Sequence, residues 1–129
     1  MPKEKEDLWP EDLGHVDLVT PVTILREQAS VLGKRTNYIL RGEVETQTRG
    51  ETIYHTFYVV APALENYRYE VLTVRHEVIF YPVDINCSDA GMYGRTVKNE
   101  DELKQALKTI FTSEKLKKVI GALLAQAQS

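Results

Sequence analysis

Residues 38–81, YILRGEVETQTRGETIYHTFYVVAPALENYRYEVLTVRHEVIFY, decide the fold. β-Branched and aromatic side chains recur through them with a period of two. Turn-forming residues interrupt the pattern at Arg49-Gly50 and again over 62–66. This predicts three antiparallel strands, over roughly 38–48, 51–61 and 67–81. With Arg49-Gly50 as the whole of the first loop, Leu40 faces Val59, Gly42 faces Phe57 and Val44 faces His55. Glycine at 42 would then leave room for the Phe57 ring. In the second hairpin, pairing Phe57 with Leu72 and His55 with Val74 sets Leu72, Val74, Val78 and Phe80 on the same side as the first hairpin's core. The phases agree across all three strands, which weighs more than the propensity of any one of them.

The flanks read as helices. Thr20-Pro21 supplies an N-cap and a first-turn proline, Val22, Leu25, Ala29 and Leu32 follow at helical spacing, and Gly33 is placed to end the helix. Asn99 to Glu102 is a capping-box pattern ahead of Leu103, Ala106, Leu107 and Ile110. Ser113 caps a last helix striped with Leu116, Val119, Ile120, Leu123, Leu124 and Ala127. Between them, residues 82–98 read as a long connection punctuated by Pro82, Gly91 and Gly94. The expected fold class is therefore α+β: a three-stranded antiparallel meander, with a short fourth strand near Val16 or Val83 as the alternative. Helices at 21–33, 100–111 and 114–127 pack mainly on its aliphatic face. The expected core is Leu25, Leu32, Leu40, Val44, Phe57, Val59, Leu72, Val74, Val78, Leu107, Ile110, Val119, Ile120 and Leu123. Residues 1–8 alternate lysine with acids and predict a disordered tail before one domain over 9–129, with Trp9-Pro10 as its first apolar anchor.

Composition narrows the function classes. The 129 residues are 43% hydrophobic and 27% charged, with a net charge of −3, as in a soluble globular protein with little non-specific affinity for nucleic acid or anionic membrane. The one cysteine, Cys87, has no internal disulfide partner, the charged N-terminus does not read as a signal peptide, and no apolar run is long enough for a membrane span. These features together predict a cytoplasmic protein. The order helix, three strands, helix also resembles double-stranded-RNA-binding domains. Asn99-Glu100-Asp101-Glu102, however, stands where those domains carry a lysine cluster, and it would repel phosphate.

No catalytic motif and no cofactor signature accompanies the fold. His55 and His76 lie near-diagonally on neighbouring strands of the core-side face, but nothing at ligand spacing completes a metal site. Cys87, with Asp84 or Asp89 nearby and a histidine in reach, is the alternative of a small enzyme or ligand-binding fold. The opposite face is a set of tyrosines and arginines. Arg41, Tyr54, Tyr58, Tyr69 and Arg75, with Ile39, Val60 and Val71, are expected to project there, Arg41 beside Tyr58 and Tyr54 across from Arg75. Those residue types are enriched at binding hot spots. The expectation is a non-catalytic protein-interaction module, whose partner is another protein or a second copy in a homodimer. An immunity or antitoxin type of inhibitor is one form of this. Alternatively, the segment from Trp9 to Val19 covers the face internally.

Overall fold

The computed structural model describes residues 5–14 and 16–129. His15 and the first half of the expected tail lie outside the described residues, while residues 5–8 are exposed coil. Helix α1 (Pro21–Arg35) precedes strands β1 (Arg41–Arg49), β2 (Thr52–Ala61), β3 (Tyr67–His76), β4 (Val83–Cys87) and β5 (Met92–Val97), followed by α2 (Glu100–Phe111) and α3 (Glu114–Ala127). The strands form one antiparallel sheet in chain order. The class is the expected α+β, but with five strands rather than three or four.

The helix starts follow their local chemistry. Thr20 Oγ1 accepts from the Thr23 amide at 3.1 Å, Asn99 Oδ1 from Glu102 at 2.9 Å and Ser113 Oγ from Leu116 at 3.3 Å. Gly33 does not end α1. It is buried against the Tyr38 ring, and the helix runs on to Arg35 before Asn37 and Tyr38 turn the chain with left-handed φ of 52° and 63°. The first strand consequently starts at Arg41 instead of Tyr38.

The first hairpin differs in register. Arg49 pairs with Thr52, so the two-residue loop is Gly50-Glu51 with glycine first, at φ 59°. Moving the loop one residue along the chain shifts the register by two, and a shift of two keeps every side chain on its face. Val44 therefore pairs with Phe57 and Gly42 with Val59. The glycine makes room for a helix and not for the Phe57 ring: a Cβ at 42 would lie 2.4 Å from Ala29 Cα and 2.5 Å from Ala29 Cβ. At this point α1 rests on β1 with no side chain between the two backbones.

The second hairpin pairs His55 with Val74 and Phe57 with Leu72, as the phases require. Beyond Phe57 a bulge intervenes, so that Tyr58 pairs with Glu70 and Val59 with Tyr69, leaving Val71 as the extra residue. One extra residue reverses every side chain on β3 ahead of it, from Tyr67 to Glu70. β3 then stops at His76, and Val78 is 78% exposed instead of lying in the core. The chain has to leave the sheet over Glu77–Pro82 because β4 returns along the same edge, pairing Asn86 with Thr73, Ile85 with Val74 and Asp84 with Arg75. Residues 82–98 are thus mostly a β4–β5 hairpin rather than a connection, closed by the Asn86 side chain accepting from the Gly94 amide at 2.8 Å. Of the two positions considered for a fourth strand, Val83 begins one and Val16 does not.

One hydrophobic cluster joins the helices to the inner face of the sheet. Leu25, Leu40, Leu72, Val74, Leu107 and Ile110 lie in it as expected, and Leu32, Val44, Val119 and Ile120 flank it partly buried. Val83, Ile85, Cys87, Met92 and Val97 complete it from the β4–β5 hairpin.

Candidate functional site

The outer face of the sheet is a charged and aromatic lattice. Arg68, brought here by the Val71 bulge, is its hub: its guanidinium lies 4.0 Å from the Tyr58 ring centroid, 2.7 Å from Glu45 and 3.6 Å from Glu43. Arg41 reaches Glu43 at 3.8 Å, Arg49 stands 5.2 Å over Tyr54, and Arg75 bonds Asp84 at 3.3 Å. Asp84 also accepts from the Thr96 hydroxyl at 2.7 Å, which extends the lattice to β5. Partial burial, with Glu45 and Glu70 close by, holds the Tyr58 hydroxyl above its ordinary pKa, so it remains a donor. Exposed ion pairs of this kind add little to stability. Their effect is to hold flat, pre-oriented donors, acceptors and rings at the surface.

The expected set is therefore partly redistributed. Arg41, Tyr54, Tyr58 and Arg75 share this face, and Tyr54 pairs with Arg75. Arg41 sits across from Val60, and Arg68 rather than Arg41 stacks on Tyr58. Tyr69 is on the inner side, against Leu64, Val119 and Leu123. There its hydroxyl donates to Asp89, an interaction that pushes its pKa up to about 12 and ties β3 to the turn after β4. Val71, at the bulge, is buried. A single-residue bulge leaves no mark in hydrophobic periodicity, so Arg68 and Glu70 were indistinguishable from inner-face residues. Nor does the segment from Trp9 to Val19 cover the lattice: Trp9 is 72% exposed, and Leu13, Val16 and Leu18 are exposed with it.

The two histidines do meet. His55 Nε2 and His76 Nε2 are 2.9 Å apart, with Thr46 Oγ1 2.8 Å from His55 Nδ1 and the Glu77 carbonyl 2.7 Å from His76 Nδ1. The carbonyl can only accept, so His76 carries its proton on Nδ1. His55 must then donate from Nε2, and Thr46 donates to His55 Nδ1. Every ring nitrogen is satisfied with both rings neutral. Burial, then repulsion from a protonated His76 and from Arg26, lowers the His55 pKa to about 4. His76 borders a cleft of about 540 Å³ between the end of β3 and the loop carrying Val78, Ile79 and Tyr81. Among the described residues, no group of three or more His, Cys, Asp or Glu side chains is arranged to hold a metal ion.

Cys87 is not part of this pair. Extending the β3–β4 register puts Val83 level with His76, and Cys87 stands four residues, about 13 Å, further along β4. Asp84 is committed to Arg75 on the other face. The thiol is 2% exposed, and burial pushes its pKa up, the opposite of what a nucleophilic cysteine needs. A thiol-modifying reagent should therefore label Cys87 only at the rate of unfolding. Rapid labelling of the folded protein would contradict this packing.

No helix among the described residues is long and apolar enough to cross a membrane. No family model, no curated protein and no solved structure matches this chain.

Proposed function

We propose that this protein is a non-catalytic interaction module that recognises another protein through the outer face of its sheet. Arg41, Tyr54, Tyr58, Arg68 and Arg75 form the recognition surface. The observation carrying the reading is the Arg68–Tyr58 stack within the Glu43/Glu45 lattice, left open to solvent on the side of the sheet opposite the main hydrophobic cluster. Flat aromatic rings with arginines already held in place by acids lose little side-chain freedom when a partner covers them. The mixed signs of the lattice favour a partner with its own alternating charges rather than a polyanion.

Affinity capture with the wild-type chain supplies a candidate partner, and the test is made with that partner purified. The double substitution Tyr58→Ala with Arg68→Ala should weaken binding by about tenfold or more, as truncation of paired hot-spot residues does. It should leave the circular dichroism spectrum and melting behaviour close to wild type, since both side chains are at the surface. Unchanged affinity in a folded double variant would remove this face as the binding surface.

A further inference from the structure

Ahead of α1 the chain carries Leu8, Trp9, Leu13, Val16, Leu18 and Val19, with exposures from 46% at Val19 to 83% at Leu8. Six large apolar side chains left in water within a twelve-residue segment mark it as one that another surface covers. Among the described residues, the arm's hydrogen bonds are a turn bond from the Leu13 amide to the Pro10 carbonyl and a bond from the Trp9 amide to Asp7. On the helix layer, α1 and α3 leave an apolar groove of about 350 Å³ open over the sheet. Its walls include Val31 and Leu32, its floor Phe57, and its far side Phe111, Ile120 and Leu124.

We propose that the two belong together across a two-fold axis: the arm of one copy, residues 8–19, seats in the α1/α3 groove of a second copy, and the second arm reciprocates. Charge favours the match. The arm and its approach hold five carboxylates, Glu6, Asp7, Glu11, Asp12 and Asp17, against one lysine, Lys5. Arg35 lines the groove at the C-terminal end of α1, next to Lys34. Direction favours a second copy over the chain's own arm. The groove lies along the C-terminal half of α1, from Gln28 to Thr36. Thr20, capped and extended at φ −88° and ψ 156°, sends the arm off from the opposite end of that helix. In this structure the chain's own arm leaves the groove open, with Trp9 72% and Val31 42% exposed. Reciprocal exchange of arms is a closed, self-complementary arrangement. It uses the helix layer, so it stands or falls independently of the outer sheet face.

Trp9 is the only tryptophan, so its fluorescence reads arm docking directly. Sedimentation velocity over a wide concentration range should show monomer passing to dimer, with the tryptophan emission moving to the blue in step. Trp9→Ala and, in the groove wall, Val31→Glu should each weaken dimerisation by about tenfold or more. Val31 is 42% exposed, so the fold tolerates the glutamate. The decisive mixture pairs the Val31→Glu chain, which keeps its tryptophan, with the Trp9→Ala chain, which keeps its groove. Emission of the first should shift to the blue when the second is added. Three results would overturn the proposal: a monomer with solvent-exposed tryptophan throughout, a monomer whose tryptophan is shielded at every concentration, or a dimer whose tryptophan stays exposed.

Discussion

Alanine at position 42 should lower the unfolding free energy by about 3 kcal/mol, the upper end of what overpacking costs. The reason is the 2.4 Å separation between the added Cβ and Ala29 Cα. A clash with a side-chain tip is relieved by a rotamer change, but a clash with backbone requires α1 to move off β1. That movement opens the packing of Ile24 and Leu25, both essentially inaccessible to solvent. Gly121 is the internal control: it lies within α3, and a Cβ there meets nothing within 4 Å. Gly121→Ala should therefore stabilise the protein by about 0.5–1 kcal/mol through helix propensity and the unfolded chain's lost freedom. Urea melts of both variants measure the contrast. Adding Ala29→Gly to Gly42→Ala should recover part of the loss, because the two substitutions act on one contact and are not additive. A Gly42→Ala melt within a few tenths of a kcal/mol of wild type would mean that α1 does not sit where Ala29 puts it.

The second large effect is in pH. His55 is 4% exposed, and its pKa is lowered from 6.5 in the unfolded chain to about 4 in the fold. Above pH 6.5 both states leave it neutral, and it makes no pH-dependent contribution. As the pH falls below 6.5 the unfolded chain takes up a proton that the folded one refuses, so stability declines. The decline is complete once the pH has passed below about 4, where both states are protonated. Integrated over that window, it amounts to about 3 kcal/mol. The carboxylates add their own acid dependence, so the quantity to measure is the difference between wild type and His55→Gln, from denaturant melts at pH 7, 5.5 and 4.5. The variant should be less stable than wild type at pH 7, because Thr46 and His76 lose a partner whose geometry was specific. It should then lose less on acidification. Parallel pH curves for the two proteins would show that His55 is not held neutral in the fold.

Both predictions concern places where sequence reasoning reached the right residues but not all of their neighbours. Gly42 stood out as a glycine in mid-strand, but a strand pattern carries information about its sheet neighbours only. The helix lying across it is three-dimensional knowledge. His55 and His76 were placed near-diagonally by the strand phases. The Thr46–His55–His76–Glu77 chain that satisfies all four ring nitrogens depends on the end of β3 and on a loop backbone carbonyl, neither of which has a sequence signature. The β4–β5 hairpin had a signal in the alternation of Val83, Ile85 and Cys87 with Asp84 and Asn86. It was outweighed by Pro82, Asp89, Gly91 and Gly94, which read as loop when no partner strand is known.

By itself the sequence determined what short-range chemistry determines. That comprises the α+β class, the caps at Thr20, Asn99 and Ser113, the two C-terminal helices, and the β2–β3 pairing of His55 with Val74 and Phe57 with Leu72. These depend on residues within a turn of one another, or on matching the aliphatic phases of two neighbouring strands. Only the tertiary structure decided which residues share the outer face. One unpaired residue, Val71, turned Tyr69 inward to Asp89 and brought Arg68 out onto Tyr58. A bulge costs a strand one ladder position but reverses every side chain on one side of it, and the choice of where to place it belongs to the packing of the whole sheet.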